Sequence, residues 1–364
     1  MSRKHDRVIV AVIAVLLGLL AGAVIILCLG KNPFSAYYSL LRGSGLAPKA
    51  RYAGGKNMLS DFSDFLDFIT SMIFAALAVA VALKTGLFNI GVSGQMLVGG
   101  FLATVLIGYS GLSAVIAKPL VLIVAAAGGG AIGALIGFLK YRFNINEVVS
   151  SIMLNYTASY ITGFLINTRY VDPVSRQSKD ISAAARLTLE EVRIGSAKYD
   201  IPLGFLLAII VIFAVAFLLD KTVFGFELKS VGSNREAARY MGINVRRSMV
   251  ASMLLSGLLA GLAGATYYLG YVSTIQPKVL PSTGFDAIAV CLVGGSSPTG
   301  IFFSTFFLMI ISKGSTYMSS QMGLDAEIAS VITGLTLLTS ACSAFILQVM
   351  YKLRRKKEKE EVQA

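Results

Sequence analysis

Residues 220–247, DKTVFGFELKSVGSNREAARYMGINVRR, set a run of charged and polar residues between two long apolar segments. Six of the 32 Lys and Arg residues fall in this stretch, in a chain that is 55% hydrophobic. A run so charged belongs in water beside a membrane, and the apolar segments on either side belong within it. Good helix formers at 235–241, closed by Gly242 as a left-handed cap, predict a short helix with a sharp exit. A short exposed helix on a membrane face suits docking of another protein. A solvated connecting loop is the plainer reading of the same residues.

Outward from this stretch the chain is mostly apolar. A 364-residue sequence with mean hydropathy +0.75, 14% charged residues and apolar runs longer than about 18 residues is an integral helical membrane protein. Apolar stretches place spans near 8–29, 67–83, 88–109, 119–139, 147–168, 202–219, 248–270, 284–299, 301–318 and 328–350. The expected fold is all-α, a polytopic transmembrane helical bundle of about 10 spans. With the N-terminus inside, 18 of the basic residues fall in inner segments, among them Arg3, Lys4, Arg7, Lys84, Lys140 and Arg142. That asymmetry puts both termini in the cytoplasm and the chain in the cell membrane as a multi-pass protein.

The net charge of +13 is gathered at span ends and in loops, where it sets topology and contacts anionic membrane lipid; nucleic acid is not the expected partner. Cys28, Cys291 and Cys342 all lie in apolar segments without ligand spacing, so they read as packing residues. The single histidine, His5, is in the N-terminal tail, which leaves no His-based catalytic or metal constellation within the membrane. The apolar run after Arg7 is too long for the core of a signal peptide and reads as a retained anchor.

Three regions follow: 1–66, an anchor span and outer loop ending in an amphipathic helix; 67–350, the transmembrane domain containing the loop 220–247; and 351–364, a basic cytoplasmic tail. The outer loop carries Gly43, Gly45, Gly54 and Gly55 and then LSDFSDFLDFITSMIF, whose apolar residues recur at helical spacing opposite Asp61, Asp64 and Asp67. A second outer segment, 169–201, has no long apolar run and reads as a solvated loop or a receiving surface for a soluble partner. Gly128, Gly129, Gly130, Gly133 and Gly137 in one span, and Gly257, Ala260, Gly261 and Gly264 in another, predict faces where helix backbones approach closely.

Polar residues inside apolar segments mark the candidate path. GLFNIGVSGQMLVGG at 86–100 holds Asn89, Ser93 and Gln95, which in hydrocarbon must bond neighbouring helices or line a wet route. NEVVSSIMLNYTASYITGF at 146–164 puts Ser151, Asn155 and Ser159 on one helix face, with Glu147 at the helix start as a capping carboxylate. GFDAIAVCLVGGSSPTG at 284–300 adds Asp286 and a polar turn. The first and third of these are both glycine-broken, the pattern of repeat-built transporters at their substrate sites. Lys313 is the one long-chain cation within an apolar run, and snorkelling to the surface is its simplest reading.

These blocks, with VGSNREAARYMGINVRRSM and SGLLAGLAGA between them, resemble the permease subunits of ABC importers of the branched-chain amino acid, ribose and nucleoside group. The similarity runs over about residues 65–345 and looks most like the nucleoside branch. The spacing of Glu236, Ala237, Ala238 and Gly242 resembles a coupling helix, although the Leu-Pro seen beyond it in the maltose-type loop is missing. The resemblance implies a transport subunit, not an enzyme, with no cofactor of its own, and the sequence has no G-x-x-x-x-G-K-[ST] loop. It also implies a separate ABC ATPase subunit that binds ATP and docks on Arg235, Glu236, Ala237, Ala238 and Gly242. A second homologous permease would complete the path, and an extracytoplasmic lipoprotein would deliver substrate. Ribose, other simple sugars and branched-chain amino acids remain alternative substrates. An ion-coupled secondary transporter is the alternative from another class.

Overall fold

The computed structural model describes residues 3–52, 56–194, 197–342, 345–349 and 352. The basic tail lies outside these residues except for Lys352, as do Gly54 and Gly55 of the outer loop. The first helices are α1 (Arg3–Cys28), α2 (Pro33–Gly43), α3 (Met58–Lys84) and α4 (Val92–Ala103), the last continued by a π-helical turn, Thr104–Gly108. After these come α5 (Ala114–Phe143), α6 (Glu147–Leu165) and a second π turn, Ile166–Tyr170. Beyond the hairpin of β1 (Thr188–Ile194) and β2 (Ala197–Pro202), the chain forms α7 (Leu203–Lys221), α8 (Val223–Ser233), α9 (Arg235–Tyr240) and α10 (Val245–Thr266). It ends with α11 (Thr283–Val293), α12 (Pro298–Met322) and α13 (Glu327–Ala341).

The protein is a helical membrane bundle. Five stretches, Met58–Lys84, Ala114–Phe143, Leu203–Lys221, Val245–Tyr271 and Pro298–Met322, are long and apolar enough to cross a membrane. A sixth is added if Val12–Cys28 and Pro33–Gly43, bent 115° apart, count as one. Three of the expected spans are shorter among the described residues, Val92–Gly108, Thr283–Val293 and Glu327–Ala341, and the first two are entered through non-helical chain.

The centre of the bundle is α10, packed against α3, α4 and α5. The glycine faces explain the closest of these contacts. A Cβ at Gly129 or Gly257 would run into the other's carbonyl oxygen, and one at Gly261 into that of Ala125. Only glycine lets the two backbones lie this close, which exposes more atoms of each helix to dispersion contact with the other. The sequence-based expectation for both faces therefore describes one interface seen from its two sides.

Four-helix sets on the two sides of the centre share a packing scheme. Helix α4 touches α5, α6 and α10, while α11 touches α12, α13 and α3. The tetrapeptide LVGG recurs at 97–100 and 292–295, once in each short helix region. At the other edge α1 and α13 run antiparallel, with Thr339 donating to the Ala14 carbonyl at 2.7 Å and Gly18 against Thr336.

The segment before α3 and the hairpin are more ordered than solvated loops. Lys49 pairs with Asp61 at 2.7 Å and Lys56 with Asp64 at 2.7 Å, which ties both lysines to the start of α3. The hairpin β1–β2 folds over the same helix: Asp67 is buried and accepts a hydrogen bond from Thr188 at 2.8 Å, and Asn57 donates to Tyr199 at 3.0 Å. The aspartates expected to face water are thus covered by a cap, and the helix beneath is continuous from Met58 into the bundle. The two strands also depart from an all-α expectation, because segment 169–201 lacks the apolar periodicity that would announce a helix while alternating well enough for a two-stranded ribbon.

Candidate functional site

Two places hold the residues singled out above. The first is the protruding turn α9. Asn234 starts it, its Oδ1 accepting from the backbone N–H groups of Glu236 and Ala237, both at 3.0 Å. This satisfies donors that a helix start leaves unpaired. Gly242 ends it at φ 80°, where the N–H of Gly242 reaches the Arg239 carbonyl at 3.0 Å and that of Ile243 reaches Ala238 at 3.0 Å. The helix predicted over 235–241 is therefore present, one residue shorter, with the glycine cap in place.

One residue anchors this turn. Ala238 is fully buried among Ala82, Leu87, Val231, Val245 and Met249, so the turn sits on the ends of α3 and α10. Arg235 donates to the Gly86 carbonyl at 3.4 Å, and a Cβ on Gly232 would strike the Lys84 carbonyl. The remaining side chains point away from the bundle: Glu236 and Ala237 are exposed, Tyr240 is 92% exposed, and Met241 stands free beside it. An unsupported aromatic and a methionine on one exposed turn make a compact apolar knob ringed by charge. Sequence reasoning found Glu236 and Gly242 but missed Tyr240 and Met241; the signal was the burial of Ala238, which fixes what the opposite side displays.

The second place is a knot of amides and hydroxyls at the start of α4. Asn89 Nδ2 donates to Gln95 Oε1 at 3.0 Å and to Ser256 Oγ at 2.8 Å, while Asn89 Oδ1 accepts from the Gly91 N–H at 2.9 Å. Asn155 Oδ1 accepts from the Gly94 N–H at 2.9 Å, and its Nδ2 donates to the Ile90 carbonyl at 3.0 Å. Ser93 Oγ donates to the Pro281 carbonyl at 2.9 Å. After Gly86 and Leu87 close α3, the backbone groups at Ile90, Gly91 and Gly94 are bonded by these side chains, as unwound backbone in a membrane requires. Asn89, Ser93, Gln95, Asn155 and Ser159 are all buried. Asp286 is different: it lies on an exposed flank of α11, beside Phe285.

Two further charged groups found partners. Glu147 pairs with Lys140 at 2.9 Å while the Asn146 side-chain amide oxygen caps α6 by accepting from the Val148 N–H, so the cap is Glu147's neighbour in sequence and not Glu147 itself. Lys313 Nζ lies 2.9 Å from the Tyr271 hydroxyl and 5.2 Å from the Phe68 ring centre, so the ammonium is held by aromatic neighbours at a half-buried position.

Against known proteins, residues 62–341 match the family described as branched-chain amino acid transport system / permease component. The chain belongs to that family. This permease is 36% identical over 361 residues to the guanosine ABC transporter permease protein NupP of Bacillus subtilis, covering 98% of the chain and 99% of the relative. It is 32% identical over 357 residues to the nucleoside ABC transporter permease protein NupB of Lactococcus lactis, covering 96% and 94%. A second B. subtilis protein, the guanosine ABC transporter permease protein NupQ, is 27% identical over 270 residues, 73% of the permease and 84% of the relative. Such proteins are transport components rather than enzymes.

Proposed function

We propose that this permease carries nucleosides into the cell as the membrane subunit of an ABC importer driven by a separate ATPase. The observation that carries the reading is α9, a capped turn anchored through one buried alanine and presenting Glu236, Tyr240 and Met241 outward at the ends of the two central helices. An element so placed transmits a push on its outer side to α3 and α10 without unfolding, because its own backbone bonds are complete. The full-length likeness to nucleoside and guanosine permeases supports the substrate class.

The wider assembly follows the same reading. A cytoplasmic ATPase dimer grips Arg235, Glu236 and Ala237, with Gly242 shaping the exit of the turn and buried Ala238 anchoring it from behind rather than touching the partner; a second related permease packs alongside, and an extracytoplasmic binding lipoprotein supplies the substrate. About ten membrane segments, counting the shorter helices, leave both termini in the cytoplasm, and the antiparallel pairing of α1 with α13 fits that arrangement. The permease needs no cofactor of its own, since ATP binds to the ATPase. Asp286 lies in the substrate path, and Asn89, Ser93, Gln95, Asn155 and Ser159 stand behind it as the frame that holds its wall.

Uptake of labelled guanosine and uridine in cells carrying Glu236→Lys or Gly242→Pro tests the reading. Both variants reach the membrane and lose uptake; normal uptake at normal membrane levels contradicts coupling through this turn.

A further inference from the structure

The outward face of α6 is unlike the other exposed faces of the bundle. On α7, Leu206, Ile210, Phe213 and Phe217 present hydrocarbon alone, as a lipid-facing stripe should. On α6 the corresponding stripe is Met153, Tyr156, Tyr160 and Phe164, with Tyr156 56% and Tyr160 62% exposed. Neither tyrosine hydroxyl has a hydrogen-bond partner among the described residues. The depth excludes the aromatic belt as an explanation. Asn155, next to Tyr156, bonds Gly94 and Ile90, and that stretch is tied through Asn89 to Ser256, midway along α10. A phenol hydroxyl at this level facing lipid would be left without any partner, at a cost that a lipid face has no reason to carry.

A carboxylate stands at the same level. Gly284 sits directly on Ser93, the residue before Gly94, so the start of α11 and the middle of α6 flank the first turn of α4 on adjacent positions. Asp286, one short step along α11, is exposed there. Two phenols one turn apart, without partners among the described residues and near the middle of the bundle, describe a wall that meets water and a polar, flat solute.

We infer that Tyr156 and Tyr160 form the nucleobase-stacking platform of the substrate path. This rests on the nucleoside-importer reading above and specifies its binding surface. The rings offer flat faces to any base, and their hydroxyls bond base edges without demanding one base over another. Such a platform admits purine and pyrimidine nucleosides alike and discriminates against free sugars, which have no aromatic face.

The test uses the complete transporter in its native cells. Tyr156→Leu and Tyr160→Leu each raise the KM for guanosine uptake about tenfold at unchanged membrane level, which is the loss of one stacking contact. Phe213→Leu on α7 leaves KM unchanged. A second readout does not depend on transport surviving. In a background with exposed Cys28 and Cys342 changed to Ser, and Cys291 left buried, a water-soluble methanethiosulfonate modifies Tyr156→Cys, and guanosine slows the modification. Phe213→Cys is not modified. The inference is overturned if the leucine variants transport with the original KM, or if Tyr156→Cys is as unreactive as Phe213→Cys or reacts at a rate that guanosine does not change. Guanosine uptake by the unaltered transporter tests the broader reading separately, so either can fail alone.

Discussion

Gly242 shows what a single residue does in this protein. No atom of the molecule lies within reach of a Cβ there, so space does not require glycine; the φ of 80° does. Gly242→Ala forces an L side chain into the left-handed region at about 1–2 kcal/mol, and the local bonds closing α9 weaken first. Uptake should fall several-fold while the melting of the whole protein in detergent hardly moves. Asn234→Ala removes the opposite cap and costs the turn about 1 kcal/mol, with the same signature. Asn89 is a different kind of residue, because its amide serves three partners in the core. Asn89→Ala leaves Ser256, Gln95 and the Gly91 N–H to find others, and should destabilise the bundle by about 1–3 kcal/mol, read as a lower melting temperature. The cap at Gly242 was legible in the sequence because a glycine after helix formers has few other meanings. The roles of Tyr240 and Tyr156 were not, since an aromatic residue in an apolar chain carries no sign of which way it faces.

Helices α5 and α10 pack backbone against backbone through glycines on both sides, and the sensitivity of this contact follows from geometry. Gly257→Ala drives a methyl group toward the Gly129 carbonyl, and neither backbone can retreat without parting the helices. The expected cost is about 1–3 kcal/mol in thermal unfolding, whereas Gly334→Ala on α13, with open space around it, should be neutral. These glycine stripes were readable because their spacing repeats at the helical period. The late start of α4 was only partly readable: glycines at 86, 91 and 94 signalled a break, but its depth is set by hydrogen bonds to residues far along the chain, such as Ser256 and Asn155. The hairpin β1–β2 was not foreseen at all. Its place is fixed by contacts with α3, through Tyr199 and Thr188, which local pattern does not encode.

At the scale of the whole molecule, the bundle gathers a central pair of helices, two flanking sets with one packing scheme, an outer cap and a single protruding turn. The protein offers a rim held by ion pairs at one end, a handle with complete backbone bonds at the other, and between them an α6 face whose tyrosine hydroxyls have no partner among the described residues. Each of these surfaces is incomplete in the isolated subunit, which is the expected condition of one component in a larger transporter. The handle is the claim on which the rest depends, and a photo-reactive amino acid in place of Tyr240 tests it most directly. Irradiation of membranes from cells that actively import guanosine should give a single covalent adduct with a nucleotide-hydrolysing subunit, and ATP should change its yield. A transporter that imports guanosine normally yet gives no such adduct, or gives adducts with lipid alone, would contradict the account.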